Sequence, residues 1–372
     1  MPIGGVEQKI IAGQTSELID SETKAILKSS TFNIINLECP LTTAEGKILK
    51  TGKNFKANPK CIDFLKEYNF KVACMANNHI MDYQIPGLME TLETCDDNEI
   101  KTIGISQNGH DKIFRYEEKG ISISIINASE TEFGSASVDT TGFMRATPQQ
   151  LFYWIQNEKM KSKWVILIIH GGREFYNLPS PSRQKEYKLY ADFGADAIIS
   201  HHTHVPSGFE WYNGKPIIYS LGNFIFPFED HVNLSWYDSL ICQLEFFENN
   251  IELKFSLHKF NQNDLQLQGV SLELKTSFME YMDDLNIVIK NSVLLDLKWK
   301  EFVYKERFNY FSMLNLFSQF RHKLFLKGII SEPKIKASKL LVLLNILRCE
   351  AHHEESVTAL KIELEKHNNF IN

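Results

Sequence analysis

The feature that most constrains this chain is the rhythm of its first two-thirds. Short apolar runs recur there: "FNIINL" (32–37), "FKVACMA" (70–76), "ISISIINA" (121–128), "WVILIIH" (164–170) and "ADAIIS" (195–200). They are of strand length, partly β-branched and nearly continuous in apolar residues, as strands buried on both faces must be. Between them the spacing predicts helices over about 16–29, 59–68, 83–97, 147–160 and 181–193. The last is punctuated at both ends. Ser180 suits its cap, Pro181 its first turn and Gly194 its exit. Strand–helix alternation of this kind predicts parallel sheet covered by helices. Three further runs, 215–226, 239–247 and 251–260, follow without helices between them, so the alternation gives way to a meander. The expectation is an α/β sandwich of two sheets over residues 1–270. From 271 to 372 apolar residues take helical spacing, and basic residues gather between 298 and 340. That stretch reads as a helical extension with a solvated basic face.

Strands in such folds deliver functional residues at their C-terminal ends. Here those ends are rich in ligand types. The first run leads into Glu38, the second into Asn77, Asn78 and His79, the fourth ends at His170, and the fifth leads into His201, His202 and His204. A lone histidine beside a strand is ordinarily a hydrogen-bonded structural residue. Four strand ends furnished this way point to a metal centre. Carboxylate, amide oxygen and imidazole without thiolate suit Mn²⁺, Fe or Zn²⁺. On an extended segment, His202 and His204 would point to one side, for one metal or two adjacent ones, and His201 to the other.

Composition limits the alternatives. The net charge of −6 and a pI near 6.1 argue against non-specific nucleic-acid binding. Cysteines 39, 61, 74, 95, 242 and 349 form no CxxC pair and read as reduced core residues. No apolar run reaches membrane-spanning length and no signal peptide opens the sequence, so a cytoplasmic protein is expected.

Five ordered motifs, "NLECPLT", "ANNHIMDY", "HGGREFYNLPSPSRQKEY", "GADAIISHHTHV" and "GKPIIYSLGNFIF", resemble those of the CapA family of capsule and poly-gamma-glutamate synthesis proteins. That family is related to the calcineurin-like metallophosphoesterases. The resemblance spans about residues 31 to 227 and implies a four-layer α-β-β-α sandwich. It implies two divalent metals that activate a water against a phosphoester. Glu38 then takes the bridging acidic position. Asn78, His170 and His202 hold the second metal, and His204 the first. His79 protonates the leaving oxygen, with Asp82 fixing its tautomer. An alternative role for Asp82 is a charge at a helix N-terminus. Arg173, Arg183 and Lys53 are candidates to bind a substrate anion, although each alone is more often a surface residue. Asn77, Glu174, His201 and Asn223 are expected behind the ligands, Glu174 orienting His170, with a tight turn as the other reading of Asn223.

One departure stands out. The family opens with an apolar strand ending in a Gly-Asp ligand, whereas this sequence begins "MPIGGVEQKIIAG", and its first aspartate, Asp20, falls in a helical stretch. The expectation is that the first strand is missing, that upstream in-frame codons encode it, and that this chain holds two metals or only one. Such a segment could also carry a membrane anchor. The resemblance implies a hydrolase in capsule or exopolymer synthesis, with an anionic small molecule or polymer as substrate. The competing readings are a non-catalytic component docked to capsule-synthesis enzymes, and a metal-dependent γ-glutamyl amide hydrolase or transferase.

Overall fold

The structure, a computed structural model, describes residues 1–50, 52–107, 109–136, 140–228, 234–314, 318–331, 335–348, 356, 357, 360 and 364. Cys349 lies outside them. Strands β1 (Asn33–Asn36), β2 (Phe70–Cys74) and β3 (Lys101–Ile103) form a parallel three-stranded sheet. The strands that follow are β4 (Phe114–Glu118), β5 (Ile121–Ser129), β6 (Trp164–His170), β7 (Ala197–His201), β8 (Phe209–Tyr212) and β9 (Lys215–Ile218). They make a second sheet in the order β8-β9-β7-β6-β5-β4. Its four central strands are parallel and its two edges antiparallel. Strands β10 (Asp238–Phe246), β11 (Ile251–Asn261) and β12 (Gln266–Gly269) form an antiparallel meander.

The layers follow from which faces are apolar. Val72, Cys74 and Ile103 of the first sheet meet Ile123, Ile125, Ile166 and Ile168 of the second, with Leu244, Phe246 and Ile251 of the meander against the same core. Helices α1 (Gly5–Ile11), α2 (Ser21–Ser29), α3 (Ile62–Glu67) and α4 (Gln84–Asp97) cover the outer face of the first sheet, burying Val6, Ile10, Leu27, Phe64 and Leu88. Helices α5 (Pro148–Lys159) and α6 (Pro181–Asp192) cover the second sheet. The result is helix, sheet, sheet, helix.

Local chemistry explains where the sequence boundaries moved. Asp20 does not sit inside a helix. Its carboxylate accepts from the Thr23 backbone N–H at 2.8 Å and caps α2, which therefore starts at Ser21. The predicted strand 215–226 stops at Ile218, and the chain turns at Gly222, whose φ is +72°. A Cβ there would meet the Asp238 carbonyl oxygen at 2.7 Å, so the turn requires glycine. The edge strands β4 and β8 and the short strands β3 and β12 lack continuous apolar runs and escaped the pattern. The described cysteines are unpaired, four of them buried.

Two compact units divide the chain: Met1–Ser292, and a second from Val293 onward. Helix α7 (Leu272–Lys290) belongs to the first. It buries Met282, Leu285 and Ile289, and its Asn286 side chain accepts from the Phe209 backbone N–H at 2.7 Å. The second unit carries α8 (Ser292–Met313, starting at the boundary residue), α9 (Gln319–Leu326) and α10 (Ala337–Arg348), with Phe308 and Phe325 edge to face at 4.9 Å. Among the described residues, no helix is long and apolar enough to cross a membrane.

Candidate metal centre

Parallel strands that end at one level place their last residues side by side. Ser129, His170 and His201 are register partners at the C-terminal edge of the second sheet. Glu38 and Asn78 follow the ends of β1 and β2 across the sandwich. Glu38 is 7% exposed, and its Oε1 lies 3.5 Å from His170 Nε2 and 3.7 Å from His204 Nε2. Asn78 Oδ1 is 3.0 Å from His170 Nε2. One ligand atom from each of Glu38, His170 and His202 lies within 4.8 Å of the other two, and the same holds for Glu174, His202 and His204. Two overlapping groups thus share His202.

The bend after β7 makes this possible. Strand alternation predicted that His202 and His204 would share a face of an extended segment. Instead the strand ends at His201, and His202 and His204 take φ values of +102° and +61°. Those conformations are rare and strained for a residue with a Cβ, and they cluster at functional sites. The His202 ring comes to 4.7 Å from that of His170 and 6.1 Å from that of His204.

Asn223 does more than turn the chain. Its Nδ2 donates to the carbonyls of His204 and Trp236, both at 3.1 Å, which identifies its other atom as oxygen. That Oδ1 lies 2.9 Å from His204 Nδ1, so Nδ1 carries the proton and the Nε2 lone pair faces Glu38. Asn77, fully buried, donates to the Leu37 carbonyl and accepts from the backbone N–H groups of His79 and Ile80. It folds the "ANNH" turn that presents Asn78.

The electrostatics suit a cation. Burial, then the nearby His204 and His79 charges, hold the His202 imidazole down at about 3. Burial and the neighbouring histidines hold His170 well below the ordinary range. Both rings are neutral at pH 7 and keep a lone pair. Burial lifts the Glu38 carboxyl to about 7 against the nearby positive groups. Glu38 Oε1 is buried without a hydrogen-bond partner, as are His170 Nδ1 and His202 Nδ1. Orphaned buried acceptors beside neutral imidazoles are what a metal ligand set looks like without its ion. The residues fit a divalent metal.

Beside this cluster, His79 Nδ1 lies 2.7 Å from Asp82 Oδ2. Asp82 is fully buried and lies ahead of α4, outside its first turn. It also accepts from the Phe55 N–H at 2.7 Å and pairs with Lys50, whose side chain is 4% exposed. Lys50 Nζ reaches the Asn78 carbonyl at 2.9 Å and His79 Nδ1 at 3.1 Å. Sequence reasoning picked Lys53 from this loop and missed Lys50. Lys53 lies over the Phe228 ring at 4.8 Å. Arg183 pairs with Glu130 and Glu186, so its charge is already balanced, which counts against the expected anion-binding role. Arg173 lies close enough to weigh on His202. Glu174 stands among the ligand atoms with His202 and His204 rather than behind His170. His201 lines a cavity between the sheets, and burial lowers it to about 4. Glu130, which also accepts from the Gly172 N–H at 3.2 Å, carried no sequence signal.

Residues 4–227 match the family of the bacterial capsule synthesis protein PGA_cap. The chain belongs to that family. It is 29% identical over 230 residues to the PGA biosynthesis protein CapA of Bacillus subtilis, covering 60% of each chain. It is 28% identical over 230 residues to the capsule biosynthesis protein CapA of Bacillus anthracis, covering 59% of this chain and 56% of that one. The chain thus spans about 60% of the length of the curated relatives it matches. Among solved structures it is similar to a hypothetical protein from Thermus thermophilus, with 16% identity, a TM-score of 0.42 and coverage of 63% and 90%. It is also similar to a putative 5'-nucleotidase from Staphylococcus aureus, with 14% identity, a TM-score of 0.37 and coverage of 60% and 44%.

Proposed function

We propose that this chain is a metal-dependent hydrolase of phosphoesterase type acting on an anionic substrate in capsule, poly-gamma-glutamate or exopolysaccharide biosynthesis. The observation that carries the reading is the convergence of Glu38, Asn78, His170 and His202 from four strand ends, beside a buried His79–Asp82 pair. Glu38, Asn78, His170 and His202 would hold one divalent ion, Mn²⁺, Fe or Zn²⁺, and Glu38 with His204 and Glu174 a second. A bound metal supplies an activated water and neutralises charge on the ester oxygens.

The chain's own residues supply the rest. Asn223 fixes the His204 tautomer so that the Nε2 lone pair faces Glu38. Asp82 accepts from His79 Nδ1 and orients the ring, so that Nε2 can carry a proton to the leaving oxygen. Lys50 balances the buried Asp82 carboxylate and ties it to the Asn78 turn, which couples the acid to the ligand loop. Capsule-synthesis enzymes are the proposed partners.

The test is hydrolysis of an aryl phosphate and of a γ-glutamyl anilide by the purified chain with Mn²⁺, Fe²⁺ or Zn²⁺. Phosphate release that disappears in His202→Ala and Asn78→Ala supports the reading. Amide cleavage without phosphate release, or tight metal binding without turnover of either, overturns it in favour of an amidase or a non-catalytic component.

A further inference from the structure

Aromatic rings gather on one side of the candidate metal centre. The His204 ring lies 4.8 Å from that of Trp236 and 5.7 Å from that of Phe226. Phe226 meets Trp236 at 4.9 Å and Phe55 at 5.8 Å. Phe55 in turn stands edge-on to the His79 ring at 4.9 Å. An arc of rings therefore runs from a candidate ligand, His204, to the candidate acid, His79. Its middle is held firmly. Phe226 and Trp236 are each 4% exposed, and the Trp236 Nε1–H donates to the Phe226 carbonyl at 3.2 Å.

Phe175 adds an outer layer to this arc. Its ring stacks on Trp236 at 5.8 Å, with 30° between the planes, and lies 6.4 Å from the His204 ring. It is 40% exposed, and its backbone is left-handed, with φ at +62°. Its N–H donates to the carbonyl of Thr203 at 2.8 Å, so the bend that carries His202 and His204 also sets this ring. A left-handed backbone is unfavourable for a bulky side chain, and glycine would make the same turn without strain. A ring two-fifths exposed recovers only part of that cost through burial. Strain of this kind clusters at functional sites, and here His202, His204 and Phe175 carry it together. The fold thus spends strain to hold a partly exposed aromatic face beside the ligands.

We propose that Phe175, backed by Trp236, binds the group carried on the ester oxygen of the substrate, and that this group presents a ring face, either a sugar or an aromatic ring. Aromatic side chains favour ring faces through stacked and edge contacts beyond the area they bury. A group that leaves toward His79 passes along the arc from Trp236 through Phe226 to Phe55. That the ring sits on the leaving side rests on the hydrolase reading; that a ring binds does not.

Calorimetric titration of the Mn²⁺-loaded full chain with phenylphosphonate, cyclohexylphosphonate and hexylphosphonate tests this. The three probes have equal carbon counts, and their carbon–phosphorus bonds survive the enzyme, so the readout is binding without turnover. At least one ring probe should bind about fivefold or more tighter than hexylphosphonate. A preference for phenyl identifies an aromatic ring, and a preference for cyclohexyl a sugar-like one. Phe175→Gly removes the ring and the strain together and should bring the ratio to about one, whereas Phe175→Tyr should keep it. Equal affinity for all three probes in the parent would overturn the proposal and leave the metal centre standing. A ring preference that survives Phe175→Gly would overturn the assignment to Phe175. Failure of every phosphonate to bind would overturn the subsite and the anion-binding centre together. Ring-selective binding lost in Phe175→Gly, in a protein that turns over no phosphoester, would uphold the ring site and sink the hydrolase reading alone.

Discussion

Replacing Asn223 by leucine, which has nearly the same shape, separates two roles that one side chain plays. Asn223 donates to two carbonyls, of His204 and Trp236, and accepts from His204 Nδ1. The residue is 9% exposed, so water replaces little of what is lost. Each net hydrogen bond is worth about 1 kcal/mol, and a buried group left short of a partner costs about 1–3 kcal/mol. Asn223→Leu should therefore destabilise the protein by roughly 2–4 kcal/mol in urea unfolding. The second effect is specific to the metal centre. Without the Oδ1 acceptor, His204 can place its proton on Nε2 and turn its ring. Loss of such an orienting partner weakens metal affinity by about 10–100-fold. Calorimetric titration with Mn²⁺ or Zn²⁺ at a temperature where the variant is fully folded measures it. An unchanged affinity alongside the expected loss of stability would refute the argument, leaving Asn223 as a clamp on the backbone alone.

Other outcomes follow from the same geometry. Burial raises the Glu38 carboxyl to about 7, so the folded metal-free protein holds a proton that the unfolded chain releases near pH 4.5, and stability falls as pH rises through that window. Glu38→Gln should stabilise the metal-free protein at pH 8 by on the order of 2–3 kcal/mol, at about 1.4 kcal/mol per pH unit, while abolishing metal binding; a loss of stability at pH 8 in a melt without metal would contradict this. Glu158 behaves oppositely. Burial alone would raise its carboxyl, but hydrogen bonds from Arg115, Lys161 and Ser124 outweigh that and hold it at about 2. Because Arg115 and Lys161 are 48% exposed and partly screened, Glu158→Gln should cost only about 1–2 kcal/mol at pH 7. That difference should vanish as pH falls from about 4.5 through 2, and a pH-independent difference in unfolding would refute it. Lys50→Met strands the buried Asp82 carboxylate and should cost about 3–5 kcal/mol, with most of it recovered in Lys50→Met/Asp82→Leu; equal losses in both variants would deny the pairing.

Much of the fold was legible because buried parallel strands announce themselves. The runs ending before Glu38, Asn78 and His202 each became a strand, and their ends converge on the second sheet's C-terminal edge. The expected cap at Ser180 accepts the Arg183 backbone N–H. What stayed hidden depends on contacts made far along the chain. Lys50 looks like one more loop lysine until the loop closes over Asp82, thirty-two positions away. For Asn223 the sequence left two readings, a turn residue or a group behind the ligands, and only its contact with His204 shows which ligand it touches. The left-handed bend at His202 and His204 has no signal in a sequence of β-compatible residues, because tertiary packing imposes it. Edge strands escape because one face meets water and the apolar run breaks up.

The central claim is that the strand ends form a metal site. Titration of the metal-free protein with Mn²⁺ and Zn²⁺, alongside His202→Ala, tests it most directly, because His202 belongs to both ligand groups. Saturable binding of at least one ion by the parent and a loss of about a hundredfold or more in the variant is the predicted result. Equal binding by the two proteins, or no saturable binding by the parent, would contradict it.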